Sequence, residues 1–192
     1  MEQSIKEVIL IKAKEVFSKF GFRKTSLDDI ARACGKGKSS LYYYFKNKEE
    51  IFEEVIARDV DRMKADFLAA VDSVDTPQLR IRIYVLRRMQ LFHNLVAFFP
   101  TFRHEFMEYY SYIEKIRTRY DAEELAIIKE ILEDGIRRGV FVMKNVEITA
   151  QAIIKAMKGF EYPWALEQQE DVMERDIDAL LEVLFNGVLK HK

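Results

Sequence analysis

Ile5, Val8, Ile9, Ala13, Val16, Phe17 and Phe20 recur at steps of three and four, so residues 5–20 read as a helix with one apolar face. Gly21 follows, where a helix C-terminus favours a residue without Cβ. Ser26 with Asp29 is a capping-box-like start, and it opens a short helix whose apolar face is Leu27, Ile30, Ala31 and Cys34. Gly35-Lys36-Gly37 ends it, and a third helix over 38–45 carries Leu41, Tyr42, Tyr44 and Phe45. Asn47 and Glu50 cap a long fourth helix with Ile51, Val55, Met63, Phe67 and Val71 on one side. Asp75-Thr76-Pro77 is a turn into a fifth, where Ile81, Val85, Met89, Phe92 and Val96 keep the helical period as far as Pro100. Further helices are expected over 101–118, 121–138, 146–163 and 172–189, with Val140-Phe141-Val142 as an extended link. The expectation is an all-α fold of about nine helices.

Composition agrees: 7 Gly and 3 Pro in 192 residues punctuate too rarely for a many-turned β fold. A chain 49% hydrophobic and 33% charged is also outside the disordered class. The one cysteine, Cys34, rules out an intrachain disulfide and a Cys-cluster zinc site, and suits a reducing compartment. Charged residues interrupt the N-terminal stretch, against a signal peptide, and no apolar run approaches the ~18 residues of a membrane span. A cytoplasmic location without membrane partners is therefore expected. Residues 1–48 hold eleven Lys and Arg against five Asp and Glu, a net +6; the remaining twenty against twenty-seven give −7. A basic head on an acidic body points to a polyanionic partner for the head.

A short helix, a turn with two glycines and a second short helix is the layout of a helix-turn-helix, which places the start of its second helix in the DNA major groove. Leu41 and Phe45 are the natural core residues of that second helix. Lys38, Ser39 and Ser40 stand at its start, where side chains reach base edges. The phenols of Tyr42, Tyr43 and Tyr44 can reach phosphates, and Lys46 and Lys48 can neutralise them.

Gly21, Thr25-Ser26, Asp29-Ile30-Ala31, Cys34-Gly35, Leu41-Tyr42-Tyr43-Tyr44-Phe45 and Lys48 together resemble the N-terminal signature of the TetR family of bacterial transcriptional repressors, over residues 5–52. The run Gly135–Phe141 is similar to that family's link between its seventh and eighth helices. The resemblance implies a homodimer with a DNA-binding head, residues 1–48, and a ligand-binding and dimerisation body, residues 49–192. A small-molecule effector entering the body would alter head spacing and release the operator. It further implies that Lys38, Ser39, Ser40 and Tyr43 face bases, and that Thr25, Ser26, Tyr42 and Lys48 face the backbone. Lys36 stands where the family places an apolar residue, so it must snorkel or meet phosphate.

In the body, Ala152, Ala156 and Gly159 form a small-residue stripe beside the bulky Ile153, Met157, Phe160 and Trp164. The small stripe, with Ile177, Leu181, Leu184 and Val188 of the last helix, is expected at the dimer interface. Met89, Phe92, His93, Phe102, Phe106, Tyr110, Met157, Phe160 and Trp164 are candidates to line a pocket for an apolar or aromatic effector. His104 and Glu108 share a helix face, but two ligands are too few for a metal site, and no cofactor is expected. The competing reading is a helical enzyme or hydrophobic-ligand carrier with helix-turn-helix-like packing. Against an enzyme, there is no paired Glu-x-x-His motif, no phosphate loop and no nucleophile–base constellation. An activator of the same fold is a third reading.

Overall fold

Helices begin here where a side chain can take up the backbone N–H groups that a first turn leaves unpaired. Ser4 accepts from the Glu7 N–H at 3.2 Å and so opens α1, Ile5–Phe20. Ser26 and Asp29 form the expected capping box, with N–H···O distances of 3.2 and 2.9 Å, at the start of α2, Leu27–Ala33. No side chain caps α3, Lys38–Tyr42, which follows Gly37. Asn47 accepts from the Glu50 N–H at 2.8 Å, and the Glu50 carboxylate accepts from the Lys46 N–H at 2.7 Å, ahead of α4, Lys48–Asp72. Thr76 caps α5, Pro77–Phe98, whose first residue is the proline. α6, Asp121–Arg137, α7, Val146–Leu166, and α8, Glu170–Asn186, complete a series without strands among the described residues. The structure, a computed structural model, describes residues 4–98, 114–115, 117–166 and 170–187, with the backbone alone at 95–98, 162, 164–166 and 170. The helix expected over 101–118 falls almost wholly outside them.

The chain divides into two compact units, Met1–Met63 with Leu95–Arg119, and Lys64–Asn94 with Tyr120–Lys192. Residue 48, after which a boundary is expected, is the first of α4, and that helix as far as Met63 belongs to the first unit. Its core draws Ile9, Leu10, Ala13, Val16 and Phe17 from α1, Ile30 and Ala31 from α2, Leu41 and Phe45 from α3 and its end, and Ile51, Phe52, Val55 and Ile56 from α4. Phe20, expected on the buried face of α1, is half exposed. Phe22, beyond Gly21, takes that place, its ring 5.8 Å from Phe17 and 4.7 Å from Phe52. Ion pairs Lys6–Glu54 (3.3 Å), Lys14–Asp59 (2.7 Å) and Arg58–Glu7 join α1 to α4. Glu53 of α4 is buried and paired with Lys115 at 2.6 Å.

The second unit packs Ile81, Tyr84, Val85 and Met89 of α5, Ile128, Ile131 and Leu132 of α6, Ala150, Ile153, Ile154 and Met157 of α7, and Met173, Ile177 and Leu181 of α8. A polar network crosses it. Arg88 donates to Glu124 at 2.7 Å and pairs with Glu161; Tyr84 donates to the same Glu124 oxygen at 3.1 Å. Burial, first, and the Glu124 charge push the Tyr84 phenol far above its ordinary range, so it stays a donor. Arg82 grips Asp178 through two nitrogens, at 2.6 and 2.9 Å, and Glu174 at 2.6 Å, which binds α5 to α8. After α6 the backbone N–H groups of Val140 and Phe141 both reach the Gly135 carbonyl, at 2.8 and 3.1 Å. That turn lays the Phe141 ring on Gly135, where an ideal Cβ would overlap it, and stacks it on Phe185 at 5.7 Å. α7 continues three residues past the end expected at Pro163. So late in a helix, a proline forfeits one backbone bond, the one to the residue four before it, here Gly159.

Gly→Ala inside a helix ordinarily gains about 1 kcal/mol, but at Gly135 the overlap with Phe141 costs about 1–3 kcal/mol. Gly135→Ala is expected to lower the denaturation midpoint, and Phe141→Ala to remove that penalty from the double variant. Arg88→Met removes the cation that bridges two buried carboxylates and is expected to cost about 3–5 kcal/mol in chemical denaturation.

Candidate nucleic-acid interface

Ile30 and Ala31 commit one side of α2 to the core, and Leu41 and Phe45 commit one side of α3 and its extension. The turn between them closes through Gly35 N–H to the Arg32 carbonyl and Lys36 N–H to the Ala31 carbonyl, both 3.0 Å. Gly35 holds φ +63°, a left-handed conformation that a side chain would strain. α3 spans five residues, shorter than the expected 38–45, because Tyr43 and Tyr44 continue as a turn that brings Phe45 back into the core. The apolar side being taken, the polar side faces out: Lys36, Lys38, Ser39, Tyr42 and Lys46 are exposed and Ser40 half-buried. Tyr43 is 82% exposed, a large aromatic in water with its edge against Tyr44.

The candidates thus separate by what holds them. Lys36 and Lys46 have no ion-pair partner among the described residues. Lys38 pairs with Asp28 at 3.0 Å, which raises its pKa. Ser26 is engaged in the α2 cap, and Thr25 is 2% exposed, its hydroxyl donating to the Gly21 carbonyl at 2.7 Å. Both hold the entry to α2. Lys48 is turned inward: its ammonium donates to the Phe22 carbonyl at 2.9 Å and lies 4.3 Å from the centre of the Phe22 ring. Burial lowers its pKa. In this geometry Lys48 forms a strut between α4 and the α1–α2 turn. Lys24 in that turn is exposed and was not among the candidates, although the basic run Arg23-Lys24 signals it. Cys34 is half-buried, and burial raises its thiol pKa, which disfavours the reactive thiolate.

Of the body candidates, Met89, Phe92 and Met157 are buried and His93 is half-buried. Phe160 points outward, because the buried row of α7 runs Ile153, Met157, Glu161, and a glutamate takes the inner position. Phe102, Phe106, Tyr110, Val188 and the Trp164 side chain lie outside the described residues. Ala152, Ala156 and Gly159 are exposed, as is Leu184. Ile177 and Leu181 are engaged in the core of their own chain, so they do not present themselves outward. Among the described residues no group of three or more His, Cys, Asp or Glu could hold a metal, and no helix is long and apolar enough to cross a membrane.

An all-helical body carrying a helix-turn-helix with an uncovered polar side defines a DNA-binding regulator. Residues 9–55 match the family model of bacterial regulatory proteins, tetR family. The chain is 26% identical, over 93% of both chains, to the uncharacterized HTH-type transcriptional regulator YhgD of Bacillus subtilis. It shares its fold with a TetR/AcrR-family transcriptional regulator of Thermobifida fusca (TM-score 0.73, 22% identity, covering 96% of this chain and 98% of that one). It also shares it with the transcriptional regulator FadR of Bacillus subtilis, solved in complex with stearoyl-CoA (TM-score 0.66, 20% identity, covering 95% and 98%). Residues 9–55 thus carry the DNA-binding domain of the tetR family of bacterial regulatory proteins, on a chain that resembles transcriptional regulators over its length.

Lys48→Met is expected to destabilise the protein by about 1–2 kcal/mol, through the lost bond to a carbonyl and the lost ring contact. It should leave the salt slope of DNA binding unchanged, whereas Lys46→Ala should flatten that slope by about 1. Denaturation and fluorescence anisotropy across a salt series check both.

Proposed function

We propose that this chain is a ligand-responsive repressor of the bacterial cytoplasm. It binds operator DNA as a homodimer, lets go when an apolar effector occupies its body, and catalyses no reaction. Residues 1–48 are the DNA-binding head and 49–192 the ligand-binding and dimerisation body. The observation that carries this reading is the outward polar side of α3 with its neighbours Lys36, Tyr43 and Lys46, while Leu41 and Phe45 commit the apolar side to the core. In this reading Lys38, Ser39, Ser40 and Tyr43 read bases, and Tyr42, Lys36 and Lys46 meet phosphates. Thr25, Ser26 and Lys48 act by holding the entry to α2 and the foot of α4.

Dimerisation is assigned to the exposed apolar positions of α7 and α8: Ile148, Ala152, Ala156, Gly159 and Phe160, with Val183 and Leu184. The two heads must then present α3 about 34–36 Å apart to occupy successive major grooves. The effector site is assigned to the region of Met89, Phe92 and Met157. The stearoyl-CoA complex of the related FadR supports a ligand with an acyl chain. An effector acts only through different affinities for the two body shapes.

Duplex fragments selected from a random library, titrated by anisotropy and then challenged with long-chain acyl-CoA, test the reading. Binding that falls steeply with salt and is reversed by the thioester is expected; if no fragment binds with salt dependence, the reading fails. Ala156→Glu sets a charge into the assigned interface and is expected to give folded monomers by sedimentation, with operator affinity reduced at least tenfold.

A further inference from the structure

One ion pair stands at the start of the recognition helix. Lys38, the first residue of α3, donates to the Asp28 carboxylate of α2 at 3.0 Å, and both side chains are about half exposed, 48% and 57%. The neighbouring Asp29 carboxylate is committed elsewhere, to Ser26 and Arg32. Lys36 and Lys46, close in sequence, carry no such carboxylate among the described residues. The cation at the head of the base-reading helix is thus neutralised locally while its neighbours are not.

We propose that Asp28 is a selectivity residue for DNA recognition: it holds Lys38 so that this lysine serves base edges and is withheld from phosphates. The inference rests on the DNA-binding reading above. An ammonium has three donors, so Lys38 can keep Asp28 and still donate to a neutral acceptor such as guanine O6 or N7. A phosphate offers no such sharing. It would bring a second anion beside the carboxylate, and a lysine already paired with its own carboxylate releases little counterion on meeting it. The pair is solvated and so readily rearranged, which suits a filter rather than a structural clamp. Without Asp28, Lys38 becomes one more phosphate cation, and sequence-independent affinity rises at the expense of discrimination.

Asp28→Asn, Lys38→Gln and the double variant, compared with the unaltered protein, test this on two duplexes: one selected from a random library and a shuffled duplex of equal length. Asp28→Asn is expected to bind the shuffled duplex about three- to fivefold more tightly and to steepen the salt slope by about 1. The ratio of selected to shuffled affinity should fall by a similar factor, and the double variant should return to the original slope. Asp28→Asn with an unchanged slope and ratio, or with equal gains on both duplexes, overturns the inference. Both positions are exposed, and a thermal melt verifies that the variants are folded. If the unaltered protein binds neither duplex, the DNA-binding reading itself is what fails.

Discussion

A five-residue helix has no independent stability in water, since the cost of its first turn is never recovered by propagation. α3 therefore exists because Leu41 and Phe45 are buried in a core built by other helices. This dependence governs the rest of the head. The side of α3 that faces outward is fixed by which side is apolar, and its position is fixed by whatever fixes the core. Phe17, Phe22 and Phe52 do the latter, joining α1, the turn after it and α4 within one aromatic cluster. Lys48 adds directionality that ring packing lacks, because its bond to the Phe22 carbonyl sets the turn against the foot of α4.

The body is held differently. Its core is mostly aliphatic, with charged groups at a few directional joints: Arg88 among Glu124 and Glu161, and Arg82 on Asp178 and Glu174. Such groups add little net stability compared with apolar residues of similar size, because desolvation offsets attraction. The Arg88 network does penalise wrong arrangements strongly, since a buried carboxylate such as Glu124 or Glu161 separated from its guanidinium is costly. Gly135 under Phe141 acts by sterics to similar effect, fixing how the chain leaves α6.

The helices and their caps were legible in the sequence because periodicity and capping chemistry are local. Ser26 with Asp29, Asn47 with Glu50, and Pro77 all sit where their types require. What escaped the sequence is what depends on neighbours distant along the chain. The alternation of apolar residues named Phe20 as core, but the chain turns at Gly21 and Phe22 reaches the cluster first. The bond from Lys48 to the Phe22 carbonyl could not be read either, because a lysine's direction is not encoded locally. Glu161 occupies an inner position of α7 that no apolar pattern would mark, while Phe160 beside it is 37% exposed. Ile177 and Leu181, expected at a dimer interface, lie in the core of their own chain, because pattern alone does not tell a chain's own core from a partner's.

Formal charge overstates what the head offers to a polyanion. Of its lysines, Lys6, Lys12, Lys14 and Lys38 are paired with glutamate or aspartate, and Lys48 is turned to a carbonyl. Lys24, Lys36 and Lys46 carry exposed ammonium groups in or beside the segments flanking α2 and α3. A pair that stays closed on DNA releases no counterion, so the electrostatic part of binding follows the unpaired cations, not the net +6 of residues 1–48. Much of the charge on α1 and α4 thus serves assembly of the head, whereas Lys24, Lys36 and Lys46 remain available to a partner. The division follows from spacing: carboxylates of α4 stand opposite the lysines of α1, and none among the described residues stands opposite Lys36 or Lys46.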